Sequence, residues 1–177
     1  GKRKRAEQLA RMTKLRGLAA EGKIDTAVDW ILKHRSKGQG PLVVMAHHSI
    51  VIEGIETALR CYDEKLRIGK IVGGQAEKKR KADKEAFQRG EIDVMLCSIM
   101  AAGVGLTLTR AAETLFVERT WRPMDLVQAE DRVHRIGQTR PVTITYLDAT
   151  GTIDMAMARM LLRKTATIAA VSYTHLR

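Results

Sequence analysis

Short apolar runs alternate with helix-like segments from residue 41 onward, and this alternation limits the folds open to the chain. The run Leu42–Ala46 is apolar throughout, as is typical of a strand buried on both faces. Strands are predicted at residues 42–46, 66–72, 93–98, 114–118 and 142–147. Helices are predicted at residues 2–20, 24–34, 50–62, 77–88, 125–135 and 152–170. Strand followed by helix, repeated, predicts an α/β fold with a parallel sheet and helices on both faces.

The charge of the chain is strongly basic and unevenly distributed. Its 177 residues, enough for one domain with a sizeable core, carry 31 Lys and Arg against 20 Asp and Glu, a formal charge of +11. Residues 1–40 hold eleven basic against four acidic side chains, and residues 65–90 hold nine against three. Such a balance attracts polyanions, with nucleic acid the leading candidate. A domain separated from an acidic protein partner is the alternative.

Cysteine and histidine usage points away from a metal site. Cys61 and Cys97 are isolated, which argues against a zinc site and a disulfide scaffold and fits a reducing compartment. His47 and His48 are adjacent, so they cannot form the i, i+4 pair of helical metal sites. No apolar run approaches the roughly 18 residues of a membrane span. We therefore expect an intracellular protein, nuclear or in a bacterial or phage-infected cytoplasm, without membrane contact.

Three segments are predicted along the chain. Residues 1–40 are expected to form a basic helical lead-in, and residues 41–170 the α/β domain. Residues 171–177 fit nothing before them and are expected to be a non-native tail.

The segment 128–138 places two arginines on one helix face. Gln128, Arg132 and Arg135 stand at i, i+4 and i+7 and project in nearly one direction. A separate apolar stripe can face a core: Leu126, Ala129, Val133 and Ile136. Guanidinium groups bind phosphate oxygens two at a time, so this face suits the charge on a transferring phosphoryl group. A solvated helix face is the alternative. Glu130 and Asp131 lie off the arginine face and are expected to bond neighbouring loops.

Loops at the carboxyl ends of the strands are the second place to search, because ligands of open α/β sheets bind there. The loops at residues 47–49, 73–74, 99–107 and 119–123 are rich in glycine, small side chains and hydroxyls. Such residues allow phosphates to approach the backbone closely. Together these loops predict a polyanion-binding surface.

The order of these segments resembles the Swi/Snf-like branch of the superfamily two helicases. Residues 128–138 are similar to the sixth motif of that family, residues 98–107 to the fifth and residues 42–48 to the fourth, whose Ala-His-His ending resembles annealing helicases. Other matching positions are Ile71, Gly73, Arg80, Phe87, Trp121, Pro123 and residues 151–154. The resemblance covers residues 41–165 and implies a RecA-like fold, namely the C-terminal lobe of a helicase.

The resemblance also implies roles for particular residues. Arg132 and Arg135 would act as arginine fingers on ATP bound by a partner lobe, with Gln128, Gly103 and Gly105 beside the nucleotide. The implied DNA contacts are His47, His48, Gly73, Lys78, Lys79, Arg80, Thr107 and Trp121. Trp121 as a core residue is the alternative.

These residues lack the sequence motifs that bind the phosphates and the magnesium ion of a nucleotide. The chain has no phosphate-binding G-x-x-x-x-G-K-[ST] loop and no acidic box at a strand end. ATP and Mg²⁺ would therefore be held by an N-terminal ATPase lobe, and the chain alone is predicted to be inactive. We expect the second lobe of an ATP-dependent double-stranded DNA translocase or annealing helicase. The alternative is a RecA-like module that binds nucleic acid without catalysis.

Overall fold

The computed structural model describes residues 2–101, 107–132 and 138–174, apart from the side chains of residues 2–6, 9 and 165–174. Six helices and five strands occupy these ranges. In chain order they are α1 (Lys2–Glu21), α2 (Ile24–Ser36), β1 (Leu42–Ala46), α3 (Ser49–Tyr62), β2 (Ile68–Ile71), α4 (Glu77–Arg89), β3 (Val94–Ser98), β4 (Glu113–Phe116), α5 (Pro123–Glu130), β5 (Thr143–Tyr146) and α6 (Ile153–Thr174).

The five strands form one parallel sheet in the order β2-β3-β1-β4-β5. Strand β1 lies at the centre, where Val44 stands opposite Leu96 of β3 and Leu115 of β4. Every predicted strand is present, with ends that differ from the predicted ones by at most two residues. The prediction of a parallel α/β sheet is therefore confirmed.

Helices cover both faces of the sheet because alternate side chains of β1 enter two different cores. On one face, Val43 and Met45 join a core that also contains Phe87 of α4, Leu126 of α5 and Leu161 of α6. On the other face, Leu42, Val44 and Ala46 join a core with residues of α2 and α3, among them Ile31 and Ile55. All five side chains of β1 are buried. The carboxyl end of β1 is thus packed between two helical layers, which fix its position.

Helix α5 is shorter than predicted, since it ends at Glu130 and not at residue 135. Beyond it, the amide of Arg132 donates to the carbonyl of Ala129 at 3.2 Å. The carbonyl of Arg132 accepts a hydrogen bond from the amide of Leu108 at 2.9 Å. In a longer helix the carbonyl of Arg132 would accept a hydrogen bond from a later residue of that helix. Here it is bonded instead to Leu108 in the connection between β3 and β4. Residues 133–137 lie outside the described ranges.

The predicted lead-in is part of the packed domain. Lys23, between α1 and α2, places its Nζ 2.7 Å from Oδ2 of Asp154 in α6 and donates to the carbonyl of Leu147 at 3.1 Å. The side chains of Lys23 and Asp154 are only 6% and 11% exposed. Residue 40 is therefore not a boundary in the packing, because a buried ion pair joins the lead-in to the closing helix.

Helix α6 continues to Thr174 and so includes the start of the predicted tail 171–177. Residues 175–177 are not among the described ones. Within the described part of the chain, no helix is both long and apolar enough to cross a membrane.

Lys23→Ala is expected to lower the free energy of unfolding by about 3 kcal/mol, because Asp154 would keep a buried charge without its cation. The matched control is Lys33→Ala, since Lys33 also lies 2.7 Å from its partner, Asp29, but in a pair that is 69% and 64% exposed. That control should cost about 0.5 kcal/mol. Urea unfolding followed by circular dichroism measures both losses. Equal losses of unfolding free energy in the two variants would show that the buried Lys23–Asp154 pair stabilises the fold no more than the exposed pair does.

Candidate nucleic-acid interface

A buried carboxylate organises the carboxyl edge of the sheet where β1 and β4 end. Oε2 of Glu118 accepts hydrogen bonds from the backbone amides of His47 and His48, both at 2.8 Å. Oε1 of Glu118 lies 2.5 Å from Nδ1 of the His48 ring. The Glu118 side chain is only 4% exposed, whereas that of His48 is 24% exposed. The two histidines predicted to contact DNA are therefore fixed to the neighbouring strand end by one side chain.

The environments of the two histidines differ. His47 and His48 stack edge to face with ring centroids 4.9 Å apart. Burial, then the positive charge of Arg16, then His48 lower the pKa of His47. Nδ1 of His47 is buried and has no hydrogen-bond partner among the described residues, and the same is true of Oδ2 of Asp125. His47 is therefore a neutral ring at pH 7, while the His48 ring is bonded to Glu118.

Helix α1 brings an arginine to this edge. Nη2 of Arg16 donates to the carbonyl of Arg119 at 2.9 Å. The guanidinium of Arg16 also lies over the ring of Trp121, 5.6 Å from its centroid. Trp121 is partly exposed, so it is not a core residue. We call Arg16, His47, His48, Glu118 and Trp121 the edge cluster.

A second polar network ties the edge cluster to α5. Nε and Nη2 of Arg119 form two parallel bonds of 2.8 Å to the carboxylate of Asp148. The same guanidinium stacks 3.8 Å from the centroid of the Tyr146 ring. The Tyr146 hydroxyl donates to Glu130, at the end of α5, and burial followed by this contact raises the pKa of Tyr146. Glu130 thus bonds the last residue of strand β5, whereas the prediction was a bond to a neighbouring loop.

The remaining predicted DNA contacts are on α4 and in the segments after β2 and β3. Lys78 and Lys79 are exposed on α4, where Lys79 pairs with Asp83 at 3.2 Å. Arg80 is partly buried, and its Nη2 donates to the carbonyl of Ala101 at 3.0 Å, so it supports the segment after β3. Gly73 is exposed after β2, and Thr107 is partly buried.

The structure describes only some of the residues that are predicted to face the nucleotide. Arg132 is partly buried, and its Nε donates to the carbonyl of Gln128 at 3.0 Å. The side chain of Gln128 is exposed. The predicted nucleotide residues Gly103, Gly105 and Arg135 lie outside the described residues. Arg132 follows the far end of α5, roughly 12 Å along the helix from the loop that carries Trp121. Trp121 and Arg132 therefore lie beyond opposite ends of α5.

Two residues of the edge cluster were missed by the sequence reasoning. The sequence pattern places Glu118 only at the end of a predicted strand. An acidic residue directly after the buried run 114–117 could have indicated a polar site at this strand end. Arg16 was counted only as part of a basic helix, and nothing in its spacing distinguishes it from Arg11 or Lys14. Among the described residues, no group of three or more His, Cys, Asp or Glu side chains could hold a metal ion.

The fold has a close counterpart among solved structures. A crystal structure of the C-terminal part of the Fun30 ATPase domain matches 79% of this chain with a TM-score of 0.72 and 25% sequence identity. The match covers 45% of that chain. The parallel five-stranded sheet with its two helical layers is therefore a RecA-like fold, as predicted from the sequence.

Residues 22–137 match the family model of the helicase conserved C-terminal domain, and the chain belongs to this family. The SWI/SNF-related matrix-associated actin-dependent regulator of chromatin subfamily A-like protein 1 of Xenopus tropicalis is 39% identical over 146 residues, which cover 82% of this chain and 15% of that protein. The DNA annealing helicase and endonuclease ZRANB3 of Homo sapiens is 36% identical over 157 residues, or 88% of this chain and 14% of that protein. The predicted resemblance to Swi/Snf-like helicases is confirmed. The chain spans 14% to 15% of the length of these two relatives.

His47 is expected to titrate at a lower pH than a histidine in a short peptide, because burial and Arg16 both disfavour its charged form. NMR titration of the histidine rings measures this midpoint. Arg16→Ala should raise it, whereas Arg35→Ala, which removes a cation paired with Asp93 at 3.6 Å, should not.

The sign of the stability effect follows from the lowered pKa. The unfolded chain takes up this proton before the folded chain does, so the folded state loses stability as the pH falls through the ordinary histidine range. A His47 midpoint at or above that of a peptide would contradict its burial.

Proposed function

We propose that this chain is the second lobe of an ATP-dependent double-stranded DNA translocase with annealing-helicase activity. The lobe would work with an N-terminal ATPase lobe, inside the cell. Membership of the helicase C-terminal family and similarity to an annealing helicase support the proposal. The observation that carries it is the placement of Arg132, whose main chain and side chain are both anchored at the end of α5.

The anchoring of Arg132 suits a group that must meet a phosphate in one orientation. Its carbonyl is bonded to Leu108 of the β3–β4 connection, and its Nε is bonded to Gln128 one helical turn earlier. The guanidinium plane is thereby oriented before any ligand arrives. ATP, held with Mg²⁺ mainly by the other lobe, would supply the phosphoryl group. Arg132 and Arg135 would stabilise its negative charge, an effect of about 10³ to 10⁵ in rate in other nucleotide hydrolases.

DNA would lie along the carboxyl edge of the sheet, near the start of α5, whereas Arg132 follows the end of that helix. The edge cluster contributes Arg16 and His48 there, and the overall charge of +11 attracts a polyanion. Thr107, Gly73 and the basic run 78–80 would add further backbone contacts. Contacts to phosphates position a duplex without reading its sequence. In this proposal the lobe contacts DNA near the start of α5 and meets the nucleotide near its end.

Arg132→Lys is expected to reduce DNA-stimulated ATP hydrolysis at least a hundredfold, because lysine keeps the charge but loses the planar fork. The measurement uses a chimera in which this chain replaces the matched segment of the Xenopus tropicalis relative. Arg11→Lys, on the exposed face of α1, is the control and should leave turnover unchanged. Equal turnover in both variants would favour a RecA-like module that binds nucleic acid without catalysis.

The 177-residue chain alone is expected to bind duplex DNA but not to hydrolyse ATP. Its affinity for a 30-base-pair duplex, measured by fluorescence anisotropy, should fall steeply between 50 and 200 mM salt because phosphate contacts release counterions. Phosphate release assays should show no DNA-stimulated turnover. Turnover by the chain alone would contradict the division of labour between two lobes.

A further inference from the structure

The Glu118 carboxylate bonds both the backbone of the loop after β1 and the ring of His48. Its two oxygens are used differently, since Oε2 takes the two backbone amides and Oε1 takes the ring of His48. We propose that Glu118 is a positioning residue that holds the His48 ring so that Nε2 contacts a DNA backbone phosphate only when the ring is protonated. This inference rests on the proposed function and adds the residue that controls one of its DNA contacts.

The tautomer of the ring follows from hydrogen-bond chemistry. An ionised carboxylate can only accept hydrogen bonds, so the 2.5 Å contact with Glu118 requires the proton of His48 to be on Nδ1. In the neutral ring, Nε2 then carries a lone pair. A phosphate oxygen is also an acceptor, and it can bond Nε2 only after that nitrogen has gained a proton. The contact is therefore made by the cationic ring alone.

The position of the ring leaves Nε2 available. Nε2 of His48 has no hydrogen-bond partner within the described ranges, and 24% of the side chain is exposed. The charged or titratable groups around the two histidines come from several elements: Glu118 after β4, His47 after β1, Arg16 of α1 and Asp125 of α5. Of these, Glu118 forms the hydrogen bond to the His48 ring.

His47 provides a matched comparison within the same loop. Its Nδ1 is buried without a partner, and burial together with Arg16 lowers its pKa. A neutral, partly buried ring does not offer a cation to a phosphate at pH 7. The pH-dependent contact is therefore assigned to His48. The control variant is Glu53→Gln, which makes the same chemical change as Glu118→Gln at an exposed carboxylate of α3.

Glu118→Gln separates a positioning role from a merely structural one. The carboxamide has almost the same shape, and its oxygen can still accept both backbone amides. Its NH₂ group would then donate to Nδ1 of His48, which forces the proton of the neutral ring onto Nε2. The phosphate contact would persist without a positive charge. The substitution thus converts a pH-dependent contact into one that does not depend on pH.

The first measurement reads the tautomer directly. Long-range ¹⁵N–¹H NMR spectra of the wild-type chain at pH 8.5 should show the His48 proton on Nδ1, and those of Glu118→Gln should show it on Nε2. The wild-type spectrum alone tests the geometry, so the proposal does not depend on how well the variant folds. A wild-type His48 with its proton on Nε2 would overturn the proposal.

The second measurement is the affinity of the chain for a 30-base-pair duplex at pH 6.0 and pH 8.5. The wild type and Glu53→Gln should bind roughly fivefold more tightly at pH 6.0, as expected for one partly exposed charged contact. His48→Gln and Glu118→Gln should lose most of that difference. At pH 6.0, His48→Gln should also reduce the slope of log affinity against log salt by about one.

The outcomes distinguish this inference from the function on which it rests. If all variants bind DNA with the wild-type pH dependence, Glu118 does not control a phosphate contact and only this inference is overturned. If the wild-type chain binds no duplex at either pH, the DNA-binding part of the proposed function fails, and this inference fails with it.

Discussion

The complete burial of strand β1 is the constraint on which the rest of the molecule depends. Its side chains alternate between two apolar cores, and its backbone is paired with β3 on one side and β4 on the other. The strand therefore cannot shift its register without exposing one of the cores. Because β4 ends beside β1, Glu118 reaches both amides that follow Ala46. The geometry of the edge cluster is thus a result of strand packing and not of loop sequence.

Three carboxylates near this edge of the sheet have local partners. Glu118 bonds two amides and His48, Asp148 bonds Arg119, and Asp154 bonds Lys23. Their negative charges are therefore compensated inside the protein and contribute little repulsion toward a polyanion. Glu118 and Asp148 follow strands and Asp154 lies in α6, so these three acidic residues do not oppose the binding of a polyanion at this edge.

Sequence patterns predicted the elements of this fold well, because a strand such as 94–98 is recognisable from its own residues. The end of α5 was not predictable in this way, since it is set by Leu108, which lies outside the helix in sequence. The same limit explains why Glu118 was missed: its partners are 70 and 71 residues away. The roles assigned to Gly103, Gly105 and Arg135 stay predictions, because these residues lie outside the described ranges.

The contact between Tyr146 and Glu130 has a mechanical consequence. It attaches the last turn of α5 to the last strand of the sheet, while Arg119 is held between that same tyrosine and Asp148. A slide of α5 by one helical turn, about 5.4 Å, would break the tyrosine bond. These contacts couple the end of α5 to β5 and to the loop after β4, so a shift of the helix would disturb both.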